Sequence, residues 1–248
     1  MQIIPVIDLK DGIVVHAVRG ERHQYQPVHL HSGLTKSSQP ETVVADFLRL
    51  FPFDNFYIAD LNAICGNGHH REIISTLLIQ YPNINFWIDN GSQIAEMTNQ
   101  HKHNYQLVIG TESQLFPPGH HYMPESNSFI LSLDYKDQLP LGNPAWFNQA
   151  EYWPEQIIVM TLNQVGSNAG PDVEKLTGYC RAYPEKNFIA AGGIRNYLDL
   201  ICLAEIGIKS ALMATALHHN YISAQQIHNL HAKKYPGEPG YFNNLSTR

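Results

Sequence analysis

"IDLKDG", Ile7–Gly12, closes the first apolar run of the chain, and "LDYKDQ", Leu133–Gln138, closes another about half a chain later. Asp8 and Asp134 stand 126 positions apart. Three further pairs follow in the same order: Asp60 of "YIADL" with Thr161 of "VMTL" at 101, "NFWIDNG" from Asn85 with "NFIAAGG" from Asn187 at 102, and Gly110 of "VIGTE" with Ala214 of "LMATA" at 104. Chance likeness between strands would not preserve both order and near-constant spacing. The long period indicates one duplicated unit rather than a solenoid of short repeats. The halves fall at about 1–125 and 126–233, followed by an irregular tail, 234–248.

The matched runs belong to a set of eight: "IIPVID", "NFYIAD", "NFWID", "LVIGT", "FILSLD", "IIVMT", "NFIAAGG" and "ALMATA". Unbroken apolar runs of this length fit parallel strands buried on both faces. Helical spacing lies between most of them, in "ETVVADFLRLF", "REIISTLLIQY", "DVEKLTGYCRAY" and "YLDLICLAEIG". Asp172 sits where an N-cap belongs and Gly207 where a C-cap belongs. Strand and helix alternate eight times in 248 residues, the allotment of a single-domain α/β (β/α)8 TIM barrel built from two duplicated half-barrels. Glu112–Asn127, with Pro117, Pro118 and Gly119, has poor helical character, and "PAWFNQAEYW" is a short helix at best.

Composition removes several classes of function. The chain carries 16 basic and 22 acidic side chains, the wrong balance for a nucleic-acid or anionic-membrane surface. No apolar run approaches the ~20 residues of a membrane helix. Cys65, Cys180 and Cys202 are widely spaced, without a CxxC pair, which favours a reducing, cytoplasmic setting over a disulfide or zinc framework. The 14 histidines include the pairs His69-His70, His120-His121 and His218-His219, with His101 and His103 close together. Adjacent pairs point apart and no HExxH occurs, so no metal site is assigned.

In such a barrel the active site lies at the C-terminal ends of the strands. Asp8 and Asp134 end strands one and five, on opposite walls of the mouth. A lone aspartate there commonly caps a loop. A symmetric pair can serve as base and acid toward one ligand between them, provided their surroundings drive their pKa values apart. Glycine-rich turns after strands three, four, seven and eight offer backbone N–H groups to phosphate, and "AAGGIRN" is the best example. Gly-Gly also ends strands simply to make a turn.

The combination "IPVIDLKDG", "ADLNA", "VIGT", "SLDYKD", "VMT" and "AAGGI" resembles the histidine-biosynthesis HisA/HisF family of duplicated barrels, nearer its HisA branch, and spans the chain to about Leu217. That resemblance implies an Amadori-type aldose–ketose isomerase without a metal or organic cofactor, acting on a phosphorylated small molecule. It implies catalytic roles for Asp8, Asp134 and Thr161, with Asp8 moving the C2 proton, Asp134 protonating the ring oxygen and Thr161 orienting the opened chain. Gly192, Gly193, Ala214 and Thr215 would hold a phosphate. Arg19, Asp60, Asn90, Gly91, Gly110 and Thr111 are further candidate contacts. The pattern departs from the family in several places. "ATAL" stands where Gly-Arg-Ala-Leu is usual, Asp89-Asn90-Gly91 replaces Gly-Gly-Gly, and Glu112 follows Gly110-Thr111. Losing an arginine removes a bidentate phosphate donor, and added carboxylates repel a dianion. These changes point away from the usual two-phosphate substrate. The first loop, with Arg19, Arg22, His23 and Tyr25, either supplies replacement anion contacts or is plain surface. It resembles a branch linked to methanofuran or tetrahydromethanopterin one-carbon metabolism, which implies a lyase or synthase as the alternative. A non-catalytic partner-binding barrel is the third reading.

Overall fold

The computed structural model describes residues 1–97, 104–120, 123–125 and 127–232; the tail 234–248 lies outside them. All eight expected strands are present: β1 (Gln2–Lys10), β2 (Asn55–Asp60), β3 (Asn85–Asp89), β4 (Tyr105–Gly110), β5 (Phe129–Lys136), β6 (Gln156–Thr161), β7 (Asn187–Ala191) and β8 (Ser210–Met213). Each pairs in parallel with the next, and β8 closes on β1 with Pro5 opposite Met213. The result is a closed (β/α)8 barrel.

The duplication extends to the hydrogen-bond register. Asp8 lies opposite Ala59 and Asp134 opposite Met160. Ala59 faces Asp89 as Met160 faces Ala191. Asp89 faces Val108 as Ala191 faces Leu212. Even the seams agree: Pro5–Met213 closes one side and Ile109–Leu131 the other. Every pair is carried onto its counterpart by the offsets read from the sequence.

Helices α1 (Pro40–Leu50), α2 (Arg71–Gln80), α3 (Val173–Ala182), α4 (Tyr197–Glu205) and α5 (Ala224–Ala232) cover the barrel. Val43, Val44 and Phe47 of α1 are fully buried, as the spacing requires. The Asp172 carboxylate accepts from Lys175 N at 3.1 Å and caps α3. Gly207 follows α4 at φ 96°. Among the described residues, the sectors after β3, β4 and β5 carry only short turns, such as Ile94–Glu96, Thr111–Ser113 and Ala145–Asn148. Strand alternation divides the core in two. Ile3, Ile7, Phe56, Ile58 and Ile157 face the helices, whereas Ile4, Tyr57, Trp87, Ile158 and Leu212 fill the barrel.

The repeated Lys-Asp phrase is a hairpin that leaves the rim of each half-barrel. Lys10 pairs antiparallel with Ile13, and Lys136 with Leu139. The central residues all have positive φ: Asp11 51° and Gly12 84°, then Asp137 50° and Gln138 67°. Positive φ at both central positions marks the primed turn that favours Asp-Gly. Gln138 therefore occupies a left-handed position that its Cβ disfavours. Gln138→Gly is expected to stabilise the protein by about 0.5–1 kcal/mol, read as a higher urea midpoint at unchanged slope.

Candidate active site

At the C-terminal rim, alternation turns Asp8, Ala59, Asp89, Asp134, Met160 and Ala191 inward around one cavity of ≈ 920 Å³, its open mouth included. Gly192, Gly193, Ala214 and Thr215 line the same cavity. The other expected contacts do not. Thr161 is one residue out of phase: Met160 lines the cavity, while the Thr161 carbonyl lies against the Gly192 turn, 2.6 Å from where a Cβ would stand. Asp60 is buried and works as scaffold. Its carboxylate accepts from Ala63 N, from His70 N and from the His70 ring, the last at 2.8 Å, and His70 Nε2 accepts from Gly12 N at 2.9 Å. Asp60 thus anchors the first hairpin to the loop beyond β2. Arg19 is exposed, and its backbone N–H donates to Val165 O. Asn90 Oδ1 accepts from Ser92 N and Oγ.

Gly110, Gly91 and Thr111 act through the carboxylates. A Cβ on Gly110 would stand 3.1 Å from Asp134 Oδ2 and 3.3 Å from Asp89 Oδ2, so glycine leaves room for two acids to converge. Asp134 accepts from Glu112 N at 3.1 Å, from Thr111 Oγ at 3.4 Å and from Ser132 Oγ at 2.6 Å. Its own N–H donates to Thr111 Oγ. Asp89 accepts from Tyr57 OH at 3.1 Å and from Gly91 N at 3.2 Å.

The first loop folds over the mouth and adds Arg22 and Tyr25 to the lining. Arg22 is the one arginine or lysine there among the described residues, and it is paired with Glu112 at 2.6 Å. Burial opposes the Arg22 charge, but Glu112 offsets this and holds its pKa above the ordinary value. Tyr57 is also a lining residue that the motifs miss, although it is legible as the inward position two before Ala59.

Too many carboxylates share this space. Burial lifts Asp8 to about 7, with Arg22 pulling the other way. Burial lifts Asp89 to about 6, the Gly91 N–H opposing and Glu112 adding to the rise. Asp134 rises well above the carboxylate range, again chiefly by burial, with Glu112 and Asp89 reinforcing it. No group of three or more His, Cys, Asp or Glu among the described residues could hold a metal ion. No helix there is long and apolar enough to cross a membrane.

Residues 2–223 match the family described as histidine biosynthesis protein. The chain belongs to that family. It is 28% identical over 234 residues to an uncharacterized protein of Methanocaldococcus jannaschii, covering 92% of this chain and 98% of that one. It is 32% identical over 256 residues to a Listeria monocytogenes isomerase named for an imidazole-4-carboxamide bearing two 5-phosphoribosyl groups, covering 92% and 97%. A Nitrosopumilus maritimus isomerase of the same name is 25% identical over 247 residues, covering 93% and 99%. In this chain the rim acids carry a cost. The native carboxylates hold protons that the unfolded chain releases above about pH 4, so stability falls as pH rises from there through about 8. Asp134→Asn, which removes one buried acid, is expected to flatten that decline and to keep or raise Tm at pH 8.5, as followed by thermal melts.

Proposed function

We propose that the protein is an Amadori-type aldose–ketose isomerase acting on a phosphorylated, sugar-derived small molecule, with Asp8 and Asp134 as its proton-transfer pair. One observation carries this reading: two carboxylates at equivalent positions of the half-barrels line one cavity in opposite electrostatic surroundings. Asp134 sits beside Glu112 and Asp89, which favour its protonated form. Asp8 has Arg22 near it, which favours the ionised form. Burial raises both, Asp8 to about 7 and Asp134 to about 8, so Asp8 ionises first as pH rises while Asp134 keeps its proton.

Asp134 gives its proton to the ring oxygen of the substrate. The C1–O bond breaks as the nitrogen on C1 supplies its electron pair to form C1=N. Asp8 then removes the proton from C2, the electrons move to give an enaminol, and Asp8, its proton exchanged with solvent, delivers one to C1 while the C2 hydroxyl gives its proton back to the Asp134 carboxylate, which leaves the ketose. The phosphate rests on the turn after β7 and the start of the Thr215–His218 turn. Asn196 caps α4 by accepting from Leu198 N and Asp199 N. Arg195 is clamped by Asp199 at 2.7 Å. The phosphate therefore relies on backbone at Gly192 and Gly193 rather than on that helix or that arginine.

The test is turnover of an N-aryl 5-phosphoribosylamine in D2O, which should place one solvent deuterium at C1 of the ketose. Asp8→Asn and Asp134→Asn should each cost about 10²–10⁴-fold in kcat, with folding intact. The rate should rise with pH through about 7 as Asp8 ionises and fall again where Asp134 loses its proton. Variants that stay within threefold of the wild type would remove these two residues from the chemistry.

The natural substrate is not the doubly phosphoribosylated imidazolecarboxamide of the relatives. The strand-eight arginine is absent and acids stand at the opposite end of the cavity. A histidine auxotroph lacking its isomerase should therefore remain unable to grow when it expresses this chain, and robust colonies would assign the two-phosphate substrate after all.

A further inference from the structure

The half-barrels match in register, so their loops can be compared position by position. Asn90-Gly91 after β3 corresponds to Gly192-Gly193 after β7; the second glycine of each turn has similar φ, 69° and 78°, whereas the first residue has positive φ only at Gly192, 99°. The inward residue before each turn differs: Asp89 on one side, Ala191 on the other. In the first half the Gly91 N–H donates to the Asp89 carboxylate. The Glu112 N–H, whose counterpart is that of Ala216, donates to the Asp134 carboxylate. Thus the backbone donors that would cradle an anion on this side already hold carboxylates of the chain itself.

Among the described residues, one cation, Arg22, lines the cavity with four carboxylates, Asp8, Asp89, Glu112 and Asp134. Arg22 is engaged by Glu112. Asp8 lines the same cavity, is partly exposed to it, and accepts no hydrogen bond among the described residues. Tyr57 and Tyr25 contribute aromatic surface beside the acids, and aromatic faces attract cations. We propose that the wall formed by Asp89, Glu112, Tyr57 and Tyr25 is a subsite for a protonated amine, so that the substrate is a phosphate monoester with a basic nitrogen at its far end in place of a second phosphate. This rests on the phosphate reading of the Gly192–Gly193 side. The amine takes the position of the missing counter-ion, bonding to Asp89 while the Arg22–Glu112 pair stays intact.

The experiment compares three probe series by calorimetry on the full chain: linear alkyl phosphates, ω-aminoalkyl phosphates and α,ω-alkyl bisphosphates of graded length. At its best length the aminoalkyl phosphate should bind at least about tenfold tighter than the plain alkyl phosphate and release protons from the acidic wall, seen as a buffer-dependent heat. Asp89→Asn should abolish that preference while leaving plain alkyl phosphate affinity unchanged. Glu112→Gln frees Arg22 and should shift the preference toward the bisphosphate; its part-exposed site makes it the more tolerant variant if Asp89→Asn fails to fold. Alkyl phosphate binding with no gain from the amine at any length, or tighter binding of the bisphosphate by the wild type, overturns the amine subsite and leaves the isomerase reading standing. Absence of binding by every phosphate overturns both.

Discussion

A closed parallel barrel fixes which side chains meet. Each strand presents one inward residue near its C-terminal rim, and the register decides which of these stand side by side. Here the register is the same in both halves. The rim is therefore a ring of four matched pairs, and its chemistry is set by where members of a pair agree or differ. Asp8 and Asp134 agree, as do the small residues Gly110 and Ala214. Asp89 against Ala191 is the difference that gives the cavity two unlike ends.

The buried acids support one another's unusual state. Taking a carboxylate out of water is costly unless donors or a cation compensate. Asp134 and Asp89 each collect donors from neighbouring backbone and hydroxyl groups, yet among the described residues that line the cavity Arg22 alone is an arginine or lysine, and it is shared with Glu112. Protons make up the deficit. A rim built this way holds protonated carboxyl groups near neutral pH, and a hairpin follows β1 beside it. That hairpin is tied down by Asn62 Oδ1 on Asp11 N, and by His70 on Gly12 N through Asp60.

The sequence made the architecture legible because the duplication left its offsets in the chain, and the offsets survive in the pairing of every barrel strand. Asp8, Asp134 and the Gly192–Gly193 turn were legible for the same reason. Thr161 was harder: motif position places it at a strand end, but the period of two puts Met160 inside the barrel. Asp60 looked like a site residue because it ends a strand with a carboxylate, and only the fold shows that His70, ten positions on, claims it. Arg22 and Tyr25 lie in a loop whose path no periodicity encodes. Tyr57 could have been found by counting inward from Ala59, since alternation carries that information.

The two ends of the cavity differ in one inward residue, Asp89 against Ala191, at matched positions of the half-barrels. The turns after β3 and β7 agree at their second glycine, φ 69° and 78°, but differ at the first residue, where Gly192 has φ 99° and Asn90 has no positive φ; conformation is part of what makes a backbone turn receptive to anions. A single inward carboxylate then decides whether that receptivity is turned toward the solvent or satisfied internally. Once Asp89 occupies the Gly91 N–H, an incoming phosphate meets a filled donor and a like charge at close range, and both effects oppose it. A cationic group meets the reverse: an oriented carboxylate, held by Tyr57 and Gly91, whose desolvation has already occurred on folding. On the amine-subsite proposal, the acid that fills the Gly91 donor against phosphate is the one that would receive the cation.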